Sequence, residues 1–149
     1  MARCILVALD ETEASRRAAA FVNRFFDGVD AEIIALNVAH VPIPWYPATG
    51  WGYGIAAPYA YPLPEHTDED VEAAEERGEQ VVAESGIHPD EAVVDFGDPV
   101  EVIRSTAGER DADLVVVGTS SKGWWSRLLE GSVSERLMRD AECPVLVVR

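Results

Sequence analysis

Lysine is almost absent from this chain: of its 12 basic residues only Lys122 is not an arginine, against 27 acidic ones, for a formal net charge of −15. With no cluster of basic side chains, the chain lacks what neutralises a phosphate backbone, which argues against DNA, RNA and anionic membranes as partners. Cysteine is scarce too. Cys4 and Cys143 are too few for a disulfide framework, have neither zinc nor redox spacing, and read as small buried hydrophobes. His40, His66 and His88 are scattered, with no i,i+4 pair and no carboxylate at ligand spacing, so no metal site is expected. Long apolar runs are also missing. Leu114–Val117 and Val145–Val148 fall far below the ~18 residues that span a bilayer. The opening stretch turns polar at Asp10 without a small-residue cleavage site, so a cytoplasmic protein is expected.

What is present is a compact domain's worth of apolar sequence. The chain has 149 residues, 48% of them hydrophobic, too many for a disordered acidic chain. Cys4–Leu9 is a continuous apolar run of strand length closed by Asp10, as a strand buried on both faces reads. Thr12 is a candidate N-cap, followed by Ala14, Ala18, Phe21, Val22, Phe25 and Phe26 at helical spacing and Gly28 as the stop. Ile33–Val38 is a second strand. Thr67 and Asp70 make a capping-box start for an acidic surface helix with the thin stripe Val71, Ala74, Val81 and Val82, ending near Gly86. Ala92–Phe96 is a third strand. Asp98 and Pro99 then cap and open a helix with Val100, Ile103 and Ala107 inward, running to about Glu109. Leu114–Val117, a helix over Val133–Arg139 and Val145–Val148 complete the pattern.

Strands alternating with helices imply an α/β, doubly wound, Rossmann-like parallel sheet with helices on both faces. Ligands in such folds sit beyond the carboxyl ends of the strands, where strand order reverses, which singles out Asp10, Val38 to His40, Gly97, Asp98 and Gly118 onward. The stretch from Gly118 through Ser121, Lys122 and Gly123 to Gly131 and Ser132 sets glycines and hydroxyls between a strand and a helix N-terminus, the ingredients of an anion site. It is neither a Walker loop nor Gly-x-Gly-x-x-Gly. Ser120, Ser121 and Ser132 have no evident base, so nucleophilic hydrolysis is not expected. Residues 39–64 interleave six prolines with Trp45, Tyr46, Trp51, Tyr53, Tyr59 and Tyr61, which forbids a regular element. The readings left open are a disordered or extended loop, a dimer or partner surface, and a flap over a ligand.

The segments Ile5–Asp10 with Ser15, Phe96–Pro99, Asp113–Gly118, Gly131–Leu137 and Cys143–Val148, in this order, resemble the universal stress proteins (UspA-like) along nearly the whole chain. The resemblance implies five parallel strands in the order 3-2-1-4-5 and a cytosolic module that binds ATP, with magnesium accompanying it, or AMP. It also implies homodimerisation through Val145–Val148, an apolar strand otherwise open to uncontrolled pairing. The family's nucleotide motif, Gly-x2-Gly-x9-Gly-Ser/Thr, is matched by Gly118, Gly131 and Ser132, whereas Ser121 stands where the second glycine belongs. By resemblance Asp10 meets the adenine or ribose, Val38 contacts adenine through its backbone, and Gly118, Gly131, Ser132, Val133 and Ser134 hold ribose and phosphates. Ser121 and Lys122 share that loop and complete the expected site. Trp124 and Trp125 either stack over the nucleotide or occupy the place of its phosphates. The alternative is therefore an interaction module of the same fold, without nucleotide and with an unidentified protein partner. A slow ATP hydrolase ranks last, since only Asp10 is placed as a base or magnesium ligand. In the strand order implied, Cys4 and Cys143 lie two strand spacings apart, about 10 Å, so both thiols are expected free.

An acidic surface depleted of lysine suits a high-salt cytosol, where charge is screened over about 3 Å at 1 M salt. The expectation is a halophilic protein whose melting temperature rises from dilute buffer to molar KCl; an unchanged or lower midpoint would contradict it.

Overall fold

The computed structural model describes residues 3–40, 67–118 and 140–149. Eight elements follow one another: β1 (Arg3–Leu9), α1 (Glu13–Phe25), β2 (Ala31–Ala39), α2 (Asp68–Glu84), β3 (Glu91–Phe96), α3 (Pro99–Glu109), β4 (Leu114–Gly118) and β5 (Val145–Val148). The strands form one parallel sheet in the order β3-β2-β1-β4-β5. Most of the proline-aromatic segment, 41–66, and the expected helix over 133–139 lie outside the described residues.

Central position and continuous hydrophobicity go together in β1, where Cys4 to Leu9 are all buried. Successive side chains of a strand point to opposite faces. Cys4, Leu6 and Ala8 accordingly join Val100, Ile103 and Ala107 of α3 in one core, while Ile5, Val7 and Leu9 join Ala18, Ala19 and Val22 of α1 and Val82 of α2 in the other. The caps form as the local sequence dictates. Thr67 and Asp70 make a full capping box, and Asp98 accepts from the amides of Val100 and Glu101 with Pro99 in the first turn. Gly28 and Gly86 sit at φ +71° and +78°, just past helix ends, where a β-carbon is penalised.

Two expectations shift in detail. Phe25 is 58% exposed, stacked on Phe21 with the Arg24 guanidinium over its ring, because it lies on the flank of α1 rather than on its inner face. Val71 is exposed as well; α2 touches the sheet only from Ala74 onward, and its closest approach is at Gly78. A β-carbon there would lie 2.6 Å from Val94 Cγ1 and 2.8 Å from Asn37 Oδ1.

The thiols of Cys4 and Cys143 are free. Burial first, and then the carboxylates of Glu32 and Asp113, push the Cys4 thiol above its ordinary range. Burial, then Asp113 and Glu142, does the same at Cys143. Protonated thiols are poor nucleophiles, in keeping with a packing role.

At the end of β4, Gly118 lies against the first turn of α1. A β-carbon at this position would come within 2.3 Å of the Ala14 carbonyl oxygen and 2.8 Å of the Ser15 nitrogen. All of these are backbone atoms, so relief requires α1 to move. Gly118→Ala is expected to cost about 1–3 kcal/mol, which at about 2–4 °C per kcal/mol for a domain of this size lowers the melting temperature by several degrees. Thermal unfolding checks this, and a midpoint within about 1 °C of wild type would contradict it.

Candidate functional site

A cleft opens where β1 and β2 part. The last register pair is Leu9 with Asn37; the chain then turns from β1 into α1, while β2 runs on to Ala39. The gap has a volume of about 330 Å³, the low end for small-molecule sites. Asp10 to Thr12 form one side, Asn37 to His40 the floor, and Ala74, Arg77, Gly78 and Val81 of α2 the opposite wall. It lies beside the point of strand-order reversal, where β1 has β2 on one flank and β4 on the other.

Asp10 is 7% exposed, and its two carboxylate oxygens differ sharply. Oδ1 accepts from the Thr12 amide at 2.9 Å, from Ser15 Oγ at 2.7 Å and from Thr12 Oγ1. Ser15 Oγ in turn accepts from the Asp10 amide at 2.8 Å, so serine and aspartate are locked reciprocally at the start of α1. The positive end of the helix dipole adds to the preference for a carboxylate there. Oδ2 has no partner among the described residues. A buried carboxylate oxygen left unpaired costs on the order of 1–3 kcal/mol, and in a native structure such a group calls for a donor from elsewhere. An ionised carboxylate only accepts; the group it suits is a hydroxyl or an amine, and a phosphate would be repelled.

The backbone of β2 adds polar groups of both kinds. The Arg3 amide donates to Asp30 O and the Asp113 amide to Cys4 O, so odd residues of β1 face β2 and even ones face β4. The same alternation of a parallel ladder turns the even residues of β2, Val38 and His40 included, toward β1. Because β1 has left after Leu9, the Val38 carbonyl and the His40 amide face the cleft as an acceptor and a donor one step apart. Asn37, only 5% exposed, closes the seam: its Nδ2 donates to Leu9 O at 2.9 Å.

The expected site residues are therefore distributed as follows. Asp10 and Val38 come together in the cleft. Gly118 does not line it; it lies against the backbone of Ala14 and Ser15 in the first turn of α1. Ser121, Lys122, Gly131, Ser132, Val133 and Ser134 lie outside the described residues. Gly97 and Asp98 turn and cap the chain away from the cleft. Asn37, Gly78 and Arg77 had not been singled out, although each breaks its local pattern: an amide inside an apolar strand, a glycine in a helix, and an arginine on an inward stripe. Among the described residues no group of three or more His, Cys, Asp or Glu side chains is arranged to hold a metal ion, and no helix is long and apolar enough to cross a membrane.

The family model of the universal stress proteins matches residues 1–149. A universal stress protein of Thermus aquaticus is 30% identical over 149 residues, covering both chains completely. One from Methanocaldococcus jannaschii is 31% identical over 147 residues, covering 97% of this chain and 81% of its own. Among solved structures, a universal stress family protein from Burkholderia pseudomallei superimposes with a TM-score of 0.64 at 23% identity, over 99% of this chain and 96% of its own. A universal stress protein in complex with cAMP gives 0.57 at 22%, over 99% and 96%. A family member from Arabidopsis thaliana with AMP bound gives 0.54 at 22%, over 98% and 90%. With its whole length matched by the family model and relatives at this identity aligned end to end, the chain belongs to the universal stress protein family.

Proposed function

We propose that the protein is a binding module for an adenine nucleotide, AMP or ATP, rather than an enzyme. The observation that carries this reading is Asp10 Oδ2, buried and unpartnered among the described residues at the side of a cleft. A ribose offers the hydroxyl donors that this oxygen suits. Adenine offers an amino donor and a ring-nitrogen acceptor to the Val38 carbonyl and the His40 amide, and a flat face to Ala74, Gly78 and Val81. Family members solved with cAMP and with AMP support the same ligand class. The phosphates are assigned to the stretch from Gly118 through Ser121, Lys122, Gly131, Ser132 and Val133 to Ser134, and magnesium enters only with ATP, through those phosphates.

The wider role in this reading is that of a cytosolic, homodimeric stress-response module adapted to high salt. β5 supports the dimer: it is the edge strand beside β4, and Val145 to Val148 are only half-buried, a surface that a second copy would cover. Ser121 in the glycine motif, with Trp124 and Trp125 beyond it, favours the second reading, an interaction module that has lost its nucleotide.

AMP at one hundred times its dissociation constant is expected to stabilise the protein by about 2.7 kcal/mol, a rise of several degrees in melting temperature. Asp10→Asn keeps the Oδ1 acceptor and replaces the unpartnered oxygen by a donor. It should lower the ligand-free midpoint by a few degrees at most, since the charge at the start of α1 is lost while the Oδ1 acceptor stays, and abolish most of the AMP shift. A wild-type protein that shows no shift with AMP or ATP, and releases no nucleotide on denaturation, would favour the second reading. An undiminished shift in the variant would remove Asp10 from the site.

A further inference from the structure

On α2 the residues that face the sheet and the cleft are Ala74, Arg77, Gly78 and Val81, spaced i, i+3, i+4 and i+7, the stripe that an amphipathic helix reserves for apolar side chains. Ala74 and Gly78 are buried on it, and Val81 half-buried. Arg77 is the exception, and it is also the one cation on a helix whose sequence, Asp68 to Glu84, carries eight carboxylates. None of these carboxylates stands three or four positions from Arg77; those four places hold Ala73, Ala74, Gln80 and Val81, so no ion pair along the helix is within its reach. The ion pairs of the described residues involve Arg16, Arg104 and Arg110. Arg77 makes none. A guanidinium without an ion pair among the described residues, at the rim of a cleft whose far side carries Asp10 and Glu11, is available to what the cleft receives.

We infer that Arg77 holds the base of the ligand, its planar guanidinium stacking on the face of a heteroaromatic ring held against the end of β2. This deepens the nucleotide reading above and rests on it. The phosphates are an unsuitable partner for Arg77, because the stretch assigned to them begins at Gly118, at the end of β4, on the other side of β1 from the α2 wall. Base stacking suits its position: Ala74, Gly78 and Val81 supply an apolar wall with little bulk, and a flat cation over a flat ring gains from cation–π attraction and dispersion together. Lysine keeps the charge without the plane and replaces neither fully.

The test is calorimetric titration of AMP and of adenosine into the wild type, Arg77→Ala and Arg77→Lys. Both variants are expected to bind both ligands about three- to thirtyfold more weakly. Because Arg77 is exposed and makes no ion pair among the described residues, their ligand-free melting temperatures should match the wild type. Wild-type affinity in Arg77→Lys would overturn stacking in favour of charge alone. A loss for AMP that spares adenosine would also overturn it, since the contact would then be to phosphate. Unchanged affinity in Arg77→Ala would refute the inference while leaving the nucleotide reading intact, whereas a wild type that binds neither ligand would overturn both.

Discussion

The first turn of α1 rests on the backbone of Gly118 with no space for a β-carbon between them, and the geometry of the cleft depends on that contact. In that same turn the Ser15 hydroxyl accepts from the Asp10 amide and returns a hydrogen bond to Oδ1. Those two bonds, with two more from Thr12, consume one carboxylate oxygen and present the other. A second close approach completes the arrangement. α2 descends onto Asn37 and Val94 through Gly78, and Asn37 ties off the last carbonyl of β1. The cleft is thus the space left between two helices held close to a sheet by glycines, at the place where one strand stops before its neighbour.

A chain with a net charge of −15 is an unpromising host for an anion, and in the proposed reading the site meets this by division. At the described end, Asp10 Oδ2 and the main-chain groups of β2 suit hydroxyls, an amine and a planar ring, with the guanidinium of Arg77 at the rim. Such an end suits the uncharged part of a nucleotide and would repel its phosphates. Acidity elsewhere is a property of the solvent-facing surface, concentrated on the outer side of α2.

The fold was legible because its signals are local and redundant. The apolar run Cys4–Leu9, the caps at Thr12, Thr67 and Asp98 and the glycine stops all became the elements they announce, and the rule that ligands gather at strand ends points to Asp10 and Val38, which meet in the cleft. Gly118 was legible as a motif glycine by resemblance, but not as a packing contact, because its partners Ala14 and Ser15 are more than a hundred residues away in sequence and only the folded sheet brings them together. Asn37 and Gly78 depend in the same way on the distance between α2 and β2. Arg77 is different: its departure from the apolar stripe and its lack of carboxylates at helical spacing can be read from the sequence once the stripe is placed at Ala74, Gly78 and Val81 rather than at Val71.

The central claim, that a nucleoside sits between Asp10 and the end of β2 under α2, is tested most directly by titrating AMP into isotopically labelled protein and following the amide resonances. The account predicts saturable shifts concentrated at Asp10, Val38, His40 and Gly78 and at the side-chain amide of Asn37. Saturable binding that leaves these resonances in place and moves others instead would contradict it.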